Sequence, residues 1–406
     1  MSAGPSADVV VVGAGTVGGW AAVFAALDGA AKVVVVERDL AGQGASSRAA
    51  GVVRQQGGTP DTVRLGQFSV DFYKRQRELF GTDSGFREMG YSILAITQAD
   101  EREAHERIAM QRRAGLDVSW LDADELRKLN PTLALDGFKG GSYVSTDGFI
   151  DPPRNVRAYS LAMQQLGVEL RERTSFVGLR TAKSRGGGLR VTGVRTSGGV
   201  IATESVILTG GPALAMVGKL VGAKIFTGGA RHQVVVSRPH GSFDVERLPM
   251  IFDLRAGLYW RLEEGGLLWG MSNPNETPGP AAEIDWPYLR KMQRRLARLV
   301  PATAGLGIRK AWAATIEYTP DHLPILGPVM TREAVQIEGT TLAGTCGHGM
   351  MWGPGVSRVA ADLALTGTTG LIEAPRYRMD RFDEHGRSPF LDPVALPFPS
   401  DAEARD

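Results

Sequence analysis

Residues 8–39 constrain the fold more than any other stretch, because they read as strand, glycine turn, helix and second strand, closed by an acid. Val9-Val10-Val11-Val12 is an unbroken β-branched run, the composition of a strand buried on both faces of a sheet. Gly13-Ala14-Gly15-Thr16-Val17-Gly18 follows at once, and residues 20–27 are then apolar and alanine-rich, as a helix lying on a sheet would be. Val33-Val34-Val35-Val36 is the second strand, and Glu37 and Arg38 follow it. In such a unit the first glycine permits a tight turn and the second lets backbone approach a pyrophosphate. The third lets the helix close on the strand. The helix N-terminus adds N–H groups and partial positive charge. Glu37 stands about 20 residues beyond the glycines, where an acid accepts hydrogen bonds from a ribose. This context predicts a dinucleotide held by Gly13, Gly15, Thr16, Val17, Gly18, Glu37 and Arg38.

The rest of the composition narrows the class. At 406 residues the chain is long enough for two domains, and 43% hydrophobic residues is ordinary for a soluble globular protein. A formal charge of +2 predicts neither nucleic acid nor an anionic membrane as partner. No apolar run reaches the roughly 20 residues of a membrane span. Cys346 is the single cysteine, which excludes an internal disulfide and fits a reducing cytoplasm. No charged and apolar leader precedes the first strand, so no signal peptide is expected. Residues 2–7 and the Pro- and Asp-rich segment 386–406 read as loose tails.

Later segments look like returns to the nucleotide domain. Residues 168–170, 177–179 and 189–194 are short strand candidates, with Gly186-Gly187-Gly188 as a turn between two of them. Residues 205–211 form another apolar strand ending at Gly210 and Gly211, where backbone can lie close to a ligand. Residues 341–344 lead to Gly347-His348-Gly349, with a helix over 356–365. Between these returns, residues 86–143 carry mixed patterns, including a charged helix over 100–114. Residues 232–237, 257–262 and 266–271 alternate like antiparallel strands. The expected organisation is an α/β nucleotide domain over 1–85, 144–222 and 315–385. A second domain of mainly antiparallel sheet, 86–143 and 223–314, is inserted into it.

Four blocks then make the chain recognisable. They are the glycine turn, residues 44–51 (Gly-Ala-Ser-Ser-Arg-Ala-Ala-Gly), residues 318–327 (Tyr-Thr-Pro-Asp-His-Leu-Pro-Ile-Leu-Gly) and Gly347-His348-Gly349-Met350. Their order resembles the D-amino-acid oxidase superfamily of flavoproteins, in particular the branch of sarcosine oxidase, glycine oxidase and proline dehydrogenase β-subunits. The resemblance implies a Rossmann-type FAD-binding domain joined to a substrate domain with a mixed sheet, with the flavin at their boundary. It adds Ser46, Ser47, Arg48, Ala50, Gly51, Val177, Gly210, Gly211, Gly327, Gly347, His348, Gly349, Met350 and Met351 to the expected FAD contacts. The amides of residues 347–349, ahead of the last helix, would face flavin N1 and O2 and stabilise negative charge there. His348 is either catalytic or a packed, hydrogen-bonded side chain. The cysteine that bonds the flavin in monomeric sarcosine oxidases falls on Ala314, so the resemblance implies FAD held without a covalent link.

Amine oxidation on a flavin asks the protein chiefly to position the substrate. A carboxylate anchor is therefore sought among the arginines, whose planar fork matches a carboxylate. Arg54 aligns with the carboxylate-binding arginine of sarcosine oxidases. Arg261 is a second candidate, placed with Tyr259 on one face of a strand by the period of two. His232, opening another strand, is a further candidate facing the flavin. Two lysines of sarcosine oxidases fall on Met351 and Leu268, which makes the pocket more apolar and puts the oxygen reaction in question. Met350, Met351, Trp352, Trp260 and Trp269 either line space for an alkyl group or belong to the core.

The expectation is an FAD-dependent oxidase acting on a small-molecule amino acid, glycine-like or N-substituted, with dioxygen as acceptor and hydrogen peroxide as product. A monomer or a homo-oligomer fits equally, and no metal is expected. The alternative is a dehydrogenase passing electrons to a partner protein or quinone. A binding protein with structural FAD and an NAD-dependent enzyme are weaker readings.

Overall fold

A computed structural model describes residues 6–134 and 136–394. Val9–Val12 and Val33–Val36 lie side by side and parallel, Val9 opposite Val33 and Val12 opposite Val36. Alternation sends Val9, Val11, Val33 and Val35 into one core with Trp20 and Phe24 of the helix Thr16–Leu27. Val10, Val12, Val34 and Val36 enter a second core with Leu208, Leu214 and Ile325. Both faces are covered, so neither strand has a polar position. Each buried valine contributes about 1.5–3 kcal/mol relative to an exposed one.

These strands centre a nine-stranded sheet. Val206–Leu208 and then Gln336–Gly344 continue it in parallel on one side, and Glu169–Arg171 does so beyond Val33–Val36. Hairpin strands Phe176–Lys183 and Leu189–Thr196 extend one edge. The helices Gly353–Thr366, Pro152–Gln165 and Pro60–Phe80 cover the face against which Thr16–Leu27 lies. Trp20 meets Phe72 edge-on at 4.8 Å and Tyr159 at 6.0 Å, which ties three of these helices together.

The second sheet has eight strands in the order Ile308–Tyr318, Gly228–Ser237, Gly266–Met271, Leu258–Glu263, Met250–Asp253, Tyr91–Ala95, Gly140–Val144 and Ser119–Asp122. Its pairs are antiparallel except Tyr91–Ala95 with Met250–Asp253, where two distant parts of the chain meet. The expected boundary at 314/315 falls inside Ile308–Tyr318, which pairs with Gly228–Ser237 from Ser237↔Ile308 to Gly228↔Tyr318. A strand that runs out of one sheet straight into the Thr319-Pro320-Asp321 turn carries no turn signal at that boundary.

The expected loose tails need correction. Residues 1–5 and 395–406 lie outside the described residues. Ala7 donates its N–H to the Ala202 carbonyl at 2.9 Å. Residues 392–394 return to the body, with Asp392 1% and Val394 0% exposed. Loop composition does not prevent burial when the backbone is satisfied: Asp392 donates its N–H to the Asp321 carbonyl at 3.0 Å, and its Oδ1 accepts the Val394 N–H at 2.8 Å. Among the described residues no helix is long and apolar enough to cross a membrane.

Candidate active site

The glycine turn shows why each glycine is there. Gly13 has φ +97°, and a Cβ on Gly18 would stand 1.8 Å from the Gly13 carbonyl oxygen, so the helix can approach the strand this closely only without a side chain. A Cβ on Gly15 would meet only the Ser46 Oγ, at 3.2 Å, which leaves open space beside the helix N-terminus. Ser46 Oγ accepts the Thr16 N–H at 2.9 Å and so caps the helix from the 44–51 loop. Glu37 closes the far side: its carboxylate accepts the Ala14 N–H at 2.8 Å and the Asp39 N–H at 3.0 Å. Val17 is half-buried in the first helical turn, and Arg38 is exposed beside Asp39.

A cleft with about 880 Å³ of empty space lies between the two sheets. The 45–54 loop, the 347–351 turn and side chains of the eight-stranded sheet line it. Of the residues expected from the sequence, Ser46, Arg48, Ala50, Gly51, Arg54, His232, Tyr259 and the whole run Gly347 to Met351 border this cleft, as does Ala314. Ser47 is half-buried, its N–H donated to the Gly42 carbonyl at 3.1 Å. Tyr91, Phe252 and Ile316 also line the cleft and were not singled out. Their positions on alternating strands look like ordinary core, and only the three-dimensional pairing turns them to the opening.

Arg54 is 3% exposed. Its guanidinium donates to the Val394 carbonyl at 2.7 Å and to the Gln56 carbonyl, and lies 5.7 Å from the Phe252 ring centre. It forms no direct ion pair among the described residues, although its charge acts on the buried Asp147 carboxylate, which Gln55 and Gln56 hold. Arg261 differs. It lies outside the cleft lining, its Nη1 bonded to Glu263 Oε2 at 2.5 Å, its Nε donating to the Ala50 carbonyl at 3.0 Å and its guanidinium carbon 4.0 Å from the Phe149 ring centre. The structure thus sets Arg261 apart from the expected anchor position: its charge is paired with Glu263 on the same strand, and its Nε holds the loop that borders the cleft.

Tyr259 and His232 form a chain. Tyr259 Oη is 2.6 Å from His232 Nε2, and His232 Nδ1 is 2.9 Å from Ser272 Oγ. Burial pushes the His232 imidazolium down to about 4 and the Tyr259 phenol up, so both are neutral near pH 7. At the opposite wall, Cys346 at φ +49° and Gly347 at φ +75° turn the chain left-handed into the last helix. His348 Nδ1 and Trp352 Nε1 are buried there without hydrogen-bond partners among the described residues. Burial also brings the His348 imidazolium down to about 3.

Other expected residues lie apart from the cleft. Gly210 and Gly211 follow Val206–Leu208, Gly211 at φ +47°. Val177 is 47% exposed near Thr174, whose N–H is donated to the Glu37 carbonyl at 2.7 Å. Gly327, at φ +117°, lies outside the cleft lining, and a Cβ there would stand 3.0 Å from the stem of Arg378. Leu268, Trp260, Trp269 and Trp352 are core residues outside the lining, whereas Met350 and Met351 border the cleft. Cys346 is buried, its thiol pushed up by burial.

Glu317, one residue past Ile316, is 4% exposed, and its Oε1 has no partner. Burial pushes its carboxyl up to about 8, against the Thr345 N–H. The folded chain therefore keeps a proton that the unfolded chain releases near 4.5, so the stability from this group is complete below about 4.5 and lost as pH rises toward 8. Glu317→Gln, which stays neutral, is expected to melt with the parent near pH 5 and above it near pH 9, as read by thermal melts across pH. Parallel curves would show Glu317 ionised in the fold.

The open space beside Gly15, the capped helix N-terminus, the acid at Glu37 and the unpartnered His348 Nδ1 suit a long ligand with a diphosphate and a polar ring. The comparisons agree. The chain is 27% identical over 388 residues to a 4-methylaminobutanoate oxidase (formaldehyde-forming) of Paenarthrobacter nicotinovorans, covering 93% of this chain but 46% of that protein. It is 26% identical over 376 residues to a glycine oxidase of Geobacillus kaustophilus (strain HTA426), covering 91% and 95%. The crystal structure of L-proline dehydrogenase from P. horikoshii superposes with a TM-score of 0.84 at 25% identity, over 95% of this chain and 99% of that one. Residues 8–363 match the model of the FAD dependent oxidoreductase (DAO) family; the chain belongs to that family, and FAD is its cofactor.

Proposed function

We propose that the protein oxidises the C–N bond of a small amino acid, glycine-like or an N-substituted glycine. The observation that carries this is Arg54: a buried cation that forms no direct ion pair among the described residues, at the edge of a cleft whose other wall is apolar and aromatic. A substrate carboxylate gives the guanidinium a direct ion-pair partner and fixes one end of the molecule. Met350, Met351, Phe252 and Ile316 give an N-alkyl group an apolar surface.

Tyr259 and His232 act as neutral hydrogen-bonding groups in this reading. When Tyr259 donates to His232 Nε2, its lone pairs are left to accept the N–H of the substrate amine. Neither side chain takes up a proton near pH 7, so the substrate binds as the free amine. The chemistry that bound FAD supplies is two-electron acceptance, a hydride from the substrate's α-carbon that ends on dioxygen as hydrogen peroxide. The nitrogen gives up its proton, and water hydrolyses the imine to a carbonyl compound and an amine.

FAD contacts are assigned to residues 13–18, 37–38, 46–51 and 347–351. Ala314 borders the cleft and has no nucleophile to offer, which supports cofactor bound without a covalent link. We also assign the nine-stranded sheet to the FAD domain and the eight-stranded sheet to the substrate domain. A second reading, a dehydrogenase that hands electrons to another protein or quinone, draws support from Leu268 and from the similarity to L-proline dehydrogenase.

Anaerobic mixing with glycine, sarcosine, proline and N-alkylglycines tests the proposal. At least one of them is expected to bleach the visible flavin band, and admitting air to restore it within seconds with peroxide formed. Slow return of colour selects the dehydrogenase; a band that no amine bleaches refutes amine oxidation.

A further inference from the structure

We propose that the C-terminal segment 392–394 is a positioning element for Arg54, holding its guanidinium at the angle that receives a substrate carboxylate. The inference rests on Arg54 being the anchor, and it concerns a part of the chain beyond residues 8–363, the extent of the family match.

Arg54 reaches the cleft from the short strand Val52–Val53 and has five N–H donors. One is donated to the Gln56 carbonyl two residues away, and another to the Val394 carbonyl, 340 residues away, at 2.7 Å. Two acceptors on different segments define the guanidinium plane; the Gln56 carbonyl alone would leave it free to swing. Val394 is itself fixed on both sides. Its side chain is 0% exposed in the core of the eight-stranded sheet, and its N–H is bonded to Asp392 Oδ1 at 2.8 Å.

Asp392 is the centre of this arrangement. Besides Val394, its carboxylate accepts the Gly58 N–H at 3.4 Å, and its own N–H reaches the Asp321 carbonyl at 3.0 Å. Asp321 is in turn locked to Arg381 by a two-pronged ion pair at 2.7 and 3.0 Å. Thus the turn after Tyr318, the loop after Arg54 and the C-terminal segment share one anchoring residue. Gly58 has room for nothing larger: a Cβ there would stand 2.0 Å from Asp392 Oδ1. Asp392 also sets negative charge, with Glu103 and Asp100, around the half-buried Arg107, whose pKa is lowered by burial and by Arg54. Without Asp392, the repulsion between Arg107 and Arg54 loses one of the carboxylates that offset it.

The test is the affinity of full-length, FAD-loaded protein for acetate, read from the visible difference spectrum of the flavin. Asp392→Ala is expected to raise the acetate Kd about tenfold, and the substrate KM in step, with kcat changed much less, because an anchor that must be ordered on binding gives up affinity. Asp392→Asn, which keeps an oxygen for the Val394 N–H, is expected to recover most of the loss. In an Arg54→Met background Asp392→Ala should add nothing. Val394→Gly empties the apolar seat of the carbonyl while keeping Asp392, and is expected to weaken acetate as well, so the inference stays open to refutation even if Asp392→Ala does not hold flavin. Acetate affinity unchanged in Asp392→Ala or Val394→Gly, with Arg54→Met clearly weakened, overturns the inference and leaves Arg54 as anchor. Unchanged affinity in Arg54→Met removes the anchor itself.

Discussion

Arg54→Met is expected to raise the substrate concentration for half-maximal flavin reduction by about a hundredfold, while the spectrum of the bound flavin stays that of the parent. Removing one partner of a buried, hydrogen-bonded charge pair costs about 2–5 kcal/mol, and each 1.4 kcal/mol is tenfold. Methionine keeps much of the aliphatic stem, so the cleft should not collapse. Two backbone carbonyls, those of Gln56 and Val394, lose their donor, and a lower melting temperature is expected beside the loss of affinity. The two effects separate by choice of substrate. An amine without a carboxylate, if it reduces the flavin at all, should do so equally well in parent and variant. Equal loss for both kinds of amine would mean that Arg54 supports the fold of the cleft and does not meet the substrate.

The contrast with Arg261 shows what the sequence could and could not carry. Both arginines are candidates as fork-shaped cations, Arg54 through its alignment with the resembling family and Arg261 through its place on an expected strand. A period of two puts residues on a face, but it does not say whether a neighbouring carboxylate already neutralises the charge. Glu263, two residues on, does that for Arg261 by a direct ion pair, whereas Arg54 forms no such pair among the described residues. The glycine turn was legible in full because each glycine answers a local steric demand, and those demands are the same in any chain with this strand–helix contact. The lining residues Tyr91, Phe252 and Ile316 were not, since they become neighbours only through pairings such as Phe252↔Ile93, across more than 150 residues. The C-terminal segment misled for a related reason. Proline and aspartate mark a turn correctly, but whether a turn is free or buried depends on distant hydrogen-bond partners, here the carbonyl of Asp321, which accepts, and the N–H of Gly58, which donates.

Gly18→Ala is expected to yield protein without FAD and with a strongly lowered melting temperature. The added methyl would stand 1.8 Å from the Gly13 carbonyl oxygen and 3.1 Å from Thr209 Oγ1. The first contact is with backbone, so no side chain can yield by changing rotamer. Thr209 is pinned as well, its hydroxyl donating to the Val12 carbonyl at 2.5 Å. Relief requires the helix Thr16–Leu27 to move off the sheet, and that helix carries Trp20 and Phe24 into the core. Overpacking of this kind commonly costs about 1–3 kcal/mol, and a clash against fixed backbone belongs at or above the upper end. Gly15→Ala is the control that separates cofactor from fold. Its methyl would meet only Ser46 Oγ at 3.2 Å, so the apoprotein should melt close to the parent. The same methyl would occupy the space beside the helix N-terminus, where a diphosphate needs the backbone bare. FAD loss with a normal apoprotein melt in Gly15→Ala, against loss of both in Gly18→Ala, assigns the two glycines their separate tasks. Stoichiometric FAD in Gly15→Ala would place the diphosphate elsewhere along the turn, and a normal melt in Gly18→Ala would mean that helix and strand are not held as closely as the 1.8 Å approach implies.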